Sequence, residues 1–296
     1  IEAEDISASS FIRGPHVDRF EAGFADAIGA AHCVSCANGT DALYIAMTAL
    51  GLHRGDEVIV PAMSWISTSE TVTQAGGRVV FCDIDPVTQT LDPESLAQAI
   101  TPRTVGIIPV HLYGHPARMD RIMQIASAHG LWVLEDCAQA HLAEFQGRKV
   151  GTFGVAGTFS FYPGKNLGAM GDAGGIVTDD AALAERMAMF ARHGGLKKHD
   201  HRIEGINSRL DGLQAAILSV KLAHLPAWTE RRRALAARYG QLLAGLDGVR
   251  QPAVADWADH VWHVYQIRIA DRDGLMQHLK AQGIPTGVNY PNALPF

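Results

Sequence analysis

Along this chain, short apolar runs alternate with segments whose apolar residues recur every three or four positions. HCVSCA, at residues 32 to 37, is followed by NGTDALYIAMTALGL, in which Leu43, Met47 and Leu50 keep helical spacing behind a polar start. That reads as strand, tight turn and helix. The same alternation returns in EVIVPA before SWISTSETVTQAG, RVVFCDID before DPESLAQAI, VGIIPVHL before MDRIMQIASAHG, and LWVLEDC before AQAHLAEF and a turn. AGTFSFY and GIVTDD supply two more strands, flanked by the helical segments FEAGFADAIG, early in the chain, and AALAERMAMFARHG. Uniformly apolar strands separated by helices predict an α/β fold whose mostly parallel sheet is covered on both faces.

GLKKHDHRIEGINSRL then reads as a long polar loop, and long ordered loops are usually functional. From about Asp211 a helical stretch runs through LQAAILSVKLAHL, Pro226 and WTERRRALAARYGQLLAGL into a segment containing HVWHVYQIRI. The expected division is a large domain over residues 1–222 and a smaller one over 223–296.

With 296 residues, 47% hydrophobic and 19% charged, the chain has the composition of a globular protein with a sizeable core. A net charge of -6 gives no electrostatic footprint for nucleic acid or an anionic membrane, and the basic runs RRR and KKH are short. Cys33 and Cys36 form a CxxC, but with no second CxxC or HxxxH to complete a zinc set, no metal is expected. All four cysteines, with Cys82 and Cys137, sit in apolar runs, as reduced buried thiols of a cytoplasmic protein would. No apolar run reaches the roughly 18 residues of a membrane span, and the opening IEAEDISASS is acidic rather than a signal peptide. The chain opens and closes abruptly, as a piece of a longer protein would.

Parallel sheets bind ligands at the carboxyl ends of their strands, which directs attention to the polar residues there. Asn38-Gly39-Thr40-Asp41 is a turn before a helix, a ready anion site through free N–H groups and the helix dipole, although an ordinary N-cap has the same composition. Glu135-Asp136-Cys137-Ala138-Gln139 places carboxylates at the end of the apolar LWVL, where an unpaired charge is costly; a helix cap is the alternative. Ser160-Phe-Tyr-Pro-Gly-Lys165 brings a hydroxyl and an amine together across a turn, and a desolvated lysine becomes a nucleophile toward an aldehyde. Trp65, after EVIVPAMS, is either core or a flat ring able to stack on a planar cofactor. Pyridoxal phosphate needs such a set: a lysine, an acid opposite its ring nitrogen, and phosphate donors.

In that order, NGTDAL, EDCAQA, SFYPGKNLGAMGDAGG and GINSRLDGLQAA resemble motifs of the DegT/DnrJ/EryC1/StrS family of pyridoxal-phosphate sugar aminotransferases, over nearly the whole chain. The resemblance implies fold type I, with a mostly parallel seven-stranded sheet between helices and a smaller C-terminal α+β domain. It further implies a homodimer with shared active sites that takes nitrogen from glutamate and gives it to a nucleotide-linked keto sugar. By motif, Lys165 is the Schiff-base lysine and Asp136 holds the pyridinium nitrogen. Gln139 lies beside the phenolic oxygen and Trp65 stacks on the ring. Ser160 and the backbone at Gly39, Thr40 and Asp41 hold the phosphate, joined by Asn207 from the neighbouring subunit as residues 194 to 208 reach across. His111, Tyr113, Tyr162, His193, Arg209 and Tyr290 fall in or beside these motifs and are candidate sugar or nucleotide contacts.

SFYPGKN with GDAG resembles the branch that acts at the 3-keto rather than the 4-keto position. Family members usually begin with a further helical segment and continue beyond GVNYPNALPF, so the small domain is expected to be incomplete. Related dehydratases carry histidine at the lysine position, which Lys165 argues against. Intact Lys165, Asp136, Gln139 and Ser160 argue against a non-catalytic or regulatory relative.

Overall fold

The computed structural model describes residues 11–12, 14–197 and 199–296, so the opening IEAEDISASS and Lys198 of the KKH run lie outside the described residues. Helix α1 (Pro15–Ile28) leads into β1 (His32–Cys36), α2 (Gly39–Ala49), β2 (Glu57–Pro61), α3 (Ser67–Gln74), β3 (Arg78–Cys82), α4 (Pro93–Ala99) and β4 (Thr104–Ile107). There follow α5 (Met119–His129), β5 (Trp132–Asp136), a hairpin of β6 (Glu144–Phe145) and β7 (Arg148–Lys149), then β8 (Ala156–Ser160), β9 (Gly174–Thr178) and α6 (Ala181–Phe190). Helices α7 (Gly212–Leu222) and α8 (Leu225–Leu242), the short β10 (Ala258–Asp259) and α9 (Arg272–Ala281) follow.

Seven strands form one sheet in the order β1, β9, β8, β5, β4, β2, β3. β2 is parallel to β3 and β4, β4 to β5, and β5 to β8, whereas β9 runs antiparallel to both its neighbours, β1 and β8. The α/β class and mostly parallel sheet read from the sequence are therefore present.

Neighbouring residues on a strand serve opposite cores. Val58, Leu134 and Ile176 pack with Leu43 and Met47 of α2 and Met187 of α6. Phe159 and Val177 meet Phe20 and Phe24 of α1 and Leu218 of α7, while Ile59 and Val133 meet Leu96 of α4 and Ile122 of α5. The two-residue period is thus intact but masked in the sequence, because both sheet faces are apolar.

Pro226 lies in the first turn of α8, where its missing N–H costs nothing, and so begins the helix. The HVWHVYQIRI segment behaves differently from a self-contained domain element. Its Val261 N–H donates to the Gly114 carbonyl (3.1 Å) and its His263 N–H to that of Tyr113 (2.8 Å), so it lies along a loop of the large sheet. Among the described residues, no helix is long and apolar enough to cross a membrane. All four cysteines are free and buried.

Candidate active site

A cavity of about 590 Å³ opens where β1, β2, β5 and β8 end. Gly39 and Thr40 line it from the β1–α2 turn, Ser64, Trp65 and Thr68 from the β2–α3 connection, Asp136 and Gln139 from the end of β5, and Ser160, Tyr162 and Lys165 from beyond β8. His263 and Tyr290 close it from the C-terminal part of the chain. Strand polarity explains the convergence, since parallel strands deliver their final residues to one edge.

Asp136 is 6% exposed, and each of its oxygens is engaged. The Thr68 hydroxyl donates to Oδ2 at 2.8 Å and the Ala138 N–H to Oδ1 at 3.1 Å, while the Ser64 hydroxyl lies 2.8 Å from that of Thr68. These bonds fix the carboxylate's orientation at the cavity wall. Burial holds the Lys165 amine below the ordinary lysine range, and the Asp136 carboxylate partly offsets that effect. A larger fraction of neutral, nucleophilic amine is the consequence.

The turn before α2 forms the opposite end. Asn38 caps the helix by accepting the Asp41 N–H at 2.8 Å, so that N–H is engaged, and Asp41 does not line the cavity. Of the three residues expected at an anion, the turn presents Gly39 and Thr40 to the cavity. The Asp41 carboxylate instead accepts the Ser208 hydroxyl at 2.7 Å. Gly39 packs so closely on β8 that a Cβ there would lie 2.5 Å from Ser160 Cβ. The Thr40 and Ser67 hydroxyls are 2.7 Å apart beside it.

Trp65 is 57% exposed on the cavity rim rather than in the core, with its ring centroid 5.9 Å from that of Tyr290. Gln139 accepts the Tyr113 N–H at 2.7 Å and donates to the Tyr290 hydroxyl at 2.8 Å. It acts as a clamp, leaving the Tyr290 hydroxyl hydrogen directed elsewhere.

Other expected contacts lie away from the cavity. His111 is fully buried; its Nδ1 accepts the Ala117 N–H (2.9 Å), so Nε2 carries the proton and donates to Glu135 (3.1 Å). Tyr113 is buried, and its hydroxyl donates to the Asn289 carbonyl. The polar side-chain atoms of both are engaged by protein. His193 and Asn207 are exposed and Arg209 half-buried, and none lines the cavity of its own chain. His111, Glu135 and Cys137 bring potential metal ligands within 4.8 Å of one another, but the imidazole nitrogens and carboxylate oxygens are bonded to protein donors and acceptors.

Sequence reasoning missed Thr68 and His263. Thr68 follows the same strand end that singled out Trp65, whereas nothing in HVWHVYQ marks His263, which reaches the cavity only through backbone pairing with residues 113 and 114.

The chain matches the DegT/DnrJ/EryC1/StrS aminotransferase family over residues 2–295. It belongs to that family. It is 47% identical over 281 residues to the erythromycin biosynthesis sensory transduction protein EryC1 of Saccharopolyspora erythraea, covering 95% of this chain and 77% of that protein. It is 46% identical over 289 residues to a dTDP-3-amino-3,4,6-trideoxy-alpha-D-glucose transaminase of Streptomyces venezuelae, covering 98% and 76%. The crystal structure of S. venezuelae DesV in complex with a ketimine intermediate superposes with a TM-score of 0.96 at 45% identity, covering 99% of this chain and 79% of that one. As a member of an aminotransferase family, the chain has in Lys165 and Asp136 an amine and a carboxylate at the walls of one cavity.

Proposed function

We propose that this protein transfers the amino group of L-glutamate to the keto carbon of a nucleotide-linked sugar, at the 3-position, with pyridoxal phosphate as cofactor. The observation that carries this reading is the shared cavity of Lys165, Asp136 and the α2 N-terminus in a member of an aminotransferase family. The motif SFYPGKN and the 3-amino sugar in the name of the S. venezuelae relative support the 3-position.

The residues fit the cofactor. With no Cβ, Gly39 lets the turn pack directly on Ser160, and the N–H groups of Gly39 and Thr40 and the Ser160 hydroxyl, all at the cavity, suit a phosphate at a helix N-terminus. The Asp136 carboxylate, held by Thr68 and Ala138, suits a protonated ring nitrogen. When bound, the cofactor supplies an electron sink for the carbanion generated at the substrate carbon.

The chain's own residues then do the rest. Asp136 would face the ring nitrogen of a bound cofactor and favour its protonated form. Lys165 Nζ would hold the cofactor and, as a free amine, would take up the proton from the glutamate α-carbon in the first half-reaction and give a proton to the sugar carbon in the second. Trp65 covers the cavity mouth, and the Tyr290 hydroxyl, already accepting from Gln139, donates to a polar group of the sugar. We read residues 1–222 as the cofactor-binding domain, 223–296 as part of the small domain, and the protein as cytoplasmic, in keeping with its free cysteines. We further read it as a homodimer in which residues 194 to 208 bring Asn207 to the partner's phosphate; the exposure of Asn207 supports this.

The test is the absorbance spectrum of the purified protein loaded with pyridoxal phosphate. A visible band that shifts on adding glutamate is expected; no band, or one indifferent to amino acids, sinks the proposal and favours a regulatory relative.

Gly39→Ala probes the phosphate end separately. The added methyl meets the backbone and side chain of Ser160, so we expect a stability loss of about 1–3 kcal/mol, as for other overpacked sites. Cofactor affinity should fall at least about tenfold as the helix N-terminus is displaced. Unchanged melting and cofactor titration curves would show that the turn relaxes without consequence.

A further inference from the structure

Two residues of the cavity wall, Asn289 and Tyr290, come from a stretch unlike the rest of that wall. Residues 284–296 lie outside any helix or strand, and none of them is buried; Val288, Tyr290, Ala293 and Leu294 are half-buried and the others exposed.

Among the described residues, three hydrogen bonds tie this stretch to the large sheet. The Tyr113 hydroxyl donates to the Asn289 carbonyl, Gln139 Nε2 donates to the Tyr290 hydroxyl at 2.8 Å, and the Leu294 N–H donates to the Ala62 carbonyl at 2.8 Å. Ala62 follows β2, Tyr113 follows β4 and Gln139 follows β5, and these strands are neighbours in the order β5, β4, β2. Residues 289 to 294 therefore run across the carboxyl ends of three adjacent strands, the edge at which the cavity opens. The Tyr290 ring also packs against Val110, Leu112 and Tyr113 and lies 5.9 Å from the Trp65 ring on the rim.

A segment with no buried residue and few ties opens locally at far lower cost than the core beneath it. Here the ties are individually modest, and the groups they release, the Asn289 and Leu294 backbone, lie at the surface where water satisfies them.

We propose that residues 289 to 294 form a strap over the active-site cavity, which detaches from Ala62 and Tyr113 to pass ligands and then closes over them. Closed, the strap returns Tyr290 to Gln139. What passes it, pyridoxal phosphate and a nucleotide-linked sugar, rests on the aminotransferase reading; the strap itself rests on the bonds above.

The experiment leaves Gln139 and Tyr290 intact, because both are placed at the ligand, and loosens the other two ties. Tyr113→Phe removes the hydroxyl, Leu294→Pro removes the N–H, and Leu294→Ala, which keeps the N–H, is the control. Association and dissociation rates of pyridoxal phosphate are followed in the full chain by stopped-flow absorbance, with Tm for every variant. Losing one tie should raise the open population about fivefold, so both rates should rise about fivefold in Tyr113→Phe and in Leu294→Pro and on the order of twentyfold in the double variant, with Kd within about twofold of the parent. A gate speeds both directions equally, whereas a lost ligand contact or a loosened fold speeds dissociation alone. In the unloaded chain, trinitrobenzenesulfonate, a bulky amine reagent, should label Lys165 faster by the same factors, read by peptide mass spectrometry. Unchanged rates in the double variant overturn the strap, as does faster dissociation with unchanged association, or a Leu294→Ala control as fast as Leu294→Pro. Where Leu294→Pro does not fold, Tyr113→Phe decides by the same criteria. If pyridoxal phosphate does not bind at all, the aminotransferase reading fails, and the labelling of Lys165 still decides the strap.

Discussion

Lys165→Ala is expected to abolish amino transfer while leaving the fold intact. The loss has two parts: no amine remains to anchor the cofactor, and none to move the proton at the substrate carbon. The proton-transfer role accounts for roughly 10²- to 10⁴-fold in rate, and loss of the anchor adds to it. The band produced by cofactor and lysine should vanish or move to that of free cofactor. Stability should run the other way. Burial lowers the pKa of Lys165 in the folded state, so the unfolded chain binds more protons, and burying the ammonium costs stability at pH values below the folded-state pKa. In the parent this cost fades as pH rises from the lowered value toward that of an ordinary lysine. Alanine removes it, so the variant should melt no lower than the parent at neutral pH. Retained turnover, or collapse of the fold on substitution, would place Lys165 outside the chemistry.

Glu135→Ala should be the most damaging single change to the fold. Glu135 and Asp136 are adjacent at the end of β5, so their side chains leave opposite faces of the strand. Asp136 reaches the cavity, whereas Glu135 is fully buried and accepts four hydrogen bonds. Its Oε1 takes the N–H groups of Phe153 (2.7 Å) and Gly154 (2.8 Å), and its Oε2 takes that of Gly151 (2.8 Å) and His111 Nε2 (3.1 Å). Alanine leaves all four donors without an acceptor. Each buried orphan costs about 1–3 kcal/mol, and with partial relaxation the total should be roughly 3–5 kcal/mol. That is a large part of the stability of an ordinary domain.

Glutamine does not rescue fully. His111 cannot accept at Nε2, because Nδ1 already accepts the Ala117 N–H, so the glutamine NH2 faces two donors. We expect it to cost about half as much as alanine. Urea unfolding midpoints check both; an alanine variant within 1 kcal/mol of the parent would show that water replaces the carboxylate.

How much of this was readable before the structure differs from element to element. The strand and helix alternation was readable because each parallel strand must be apolar on both faces and each crossover helix must carry an apolar stripe, and Val58 and Ile59 show both demands in adjacent residues. Asp136 and Lys165 were readable as cavity residues because strand polarity sends strand ends to one edge. The role of Glu135, next door, was not, since a carboxylate's partners here are backbone N–H groups 16 to 19 residues away. Asp41, His111 and Tyr113 show the same limit, since motif position says that a residue is near the site, not which way its hydrogen bonds run.

By itself, then, the sequence determined the fold class, the edge of the sheet that binds, and the amine and carboxylate that face each other there, all of which follow from local periodicity and chain order. Only the tertiary structure decided that His263 joins that cavity, that Gln139 clamps Tyr290, and that of two adjacent acids one faces the site and the other braces the fold. Those outcomes depend on contacts between residues distant in the chain, whose geometry no local pattern encodes.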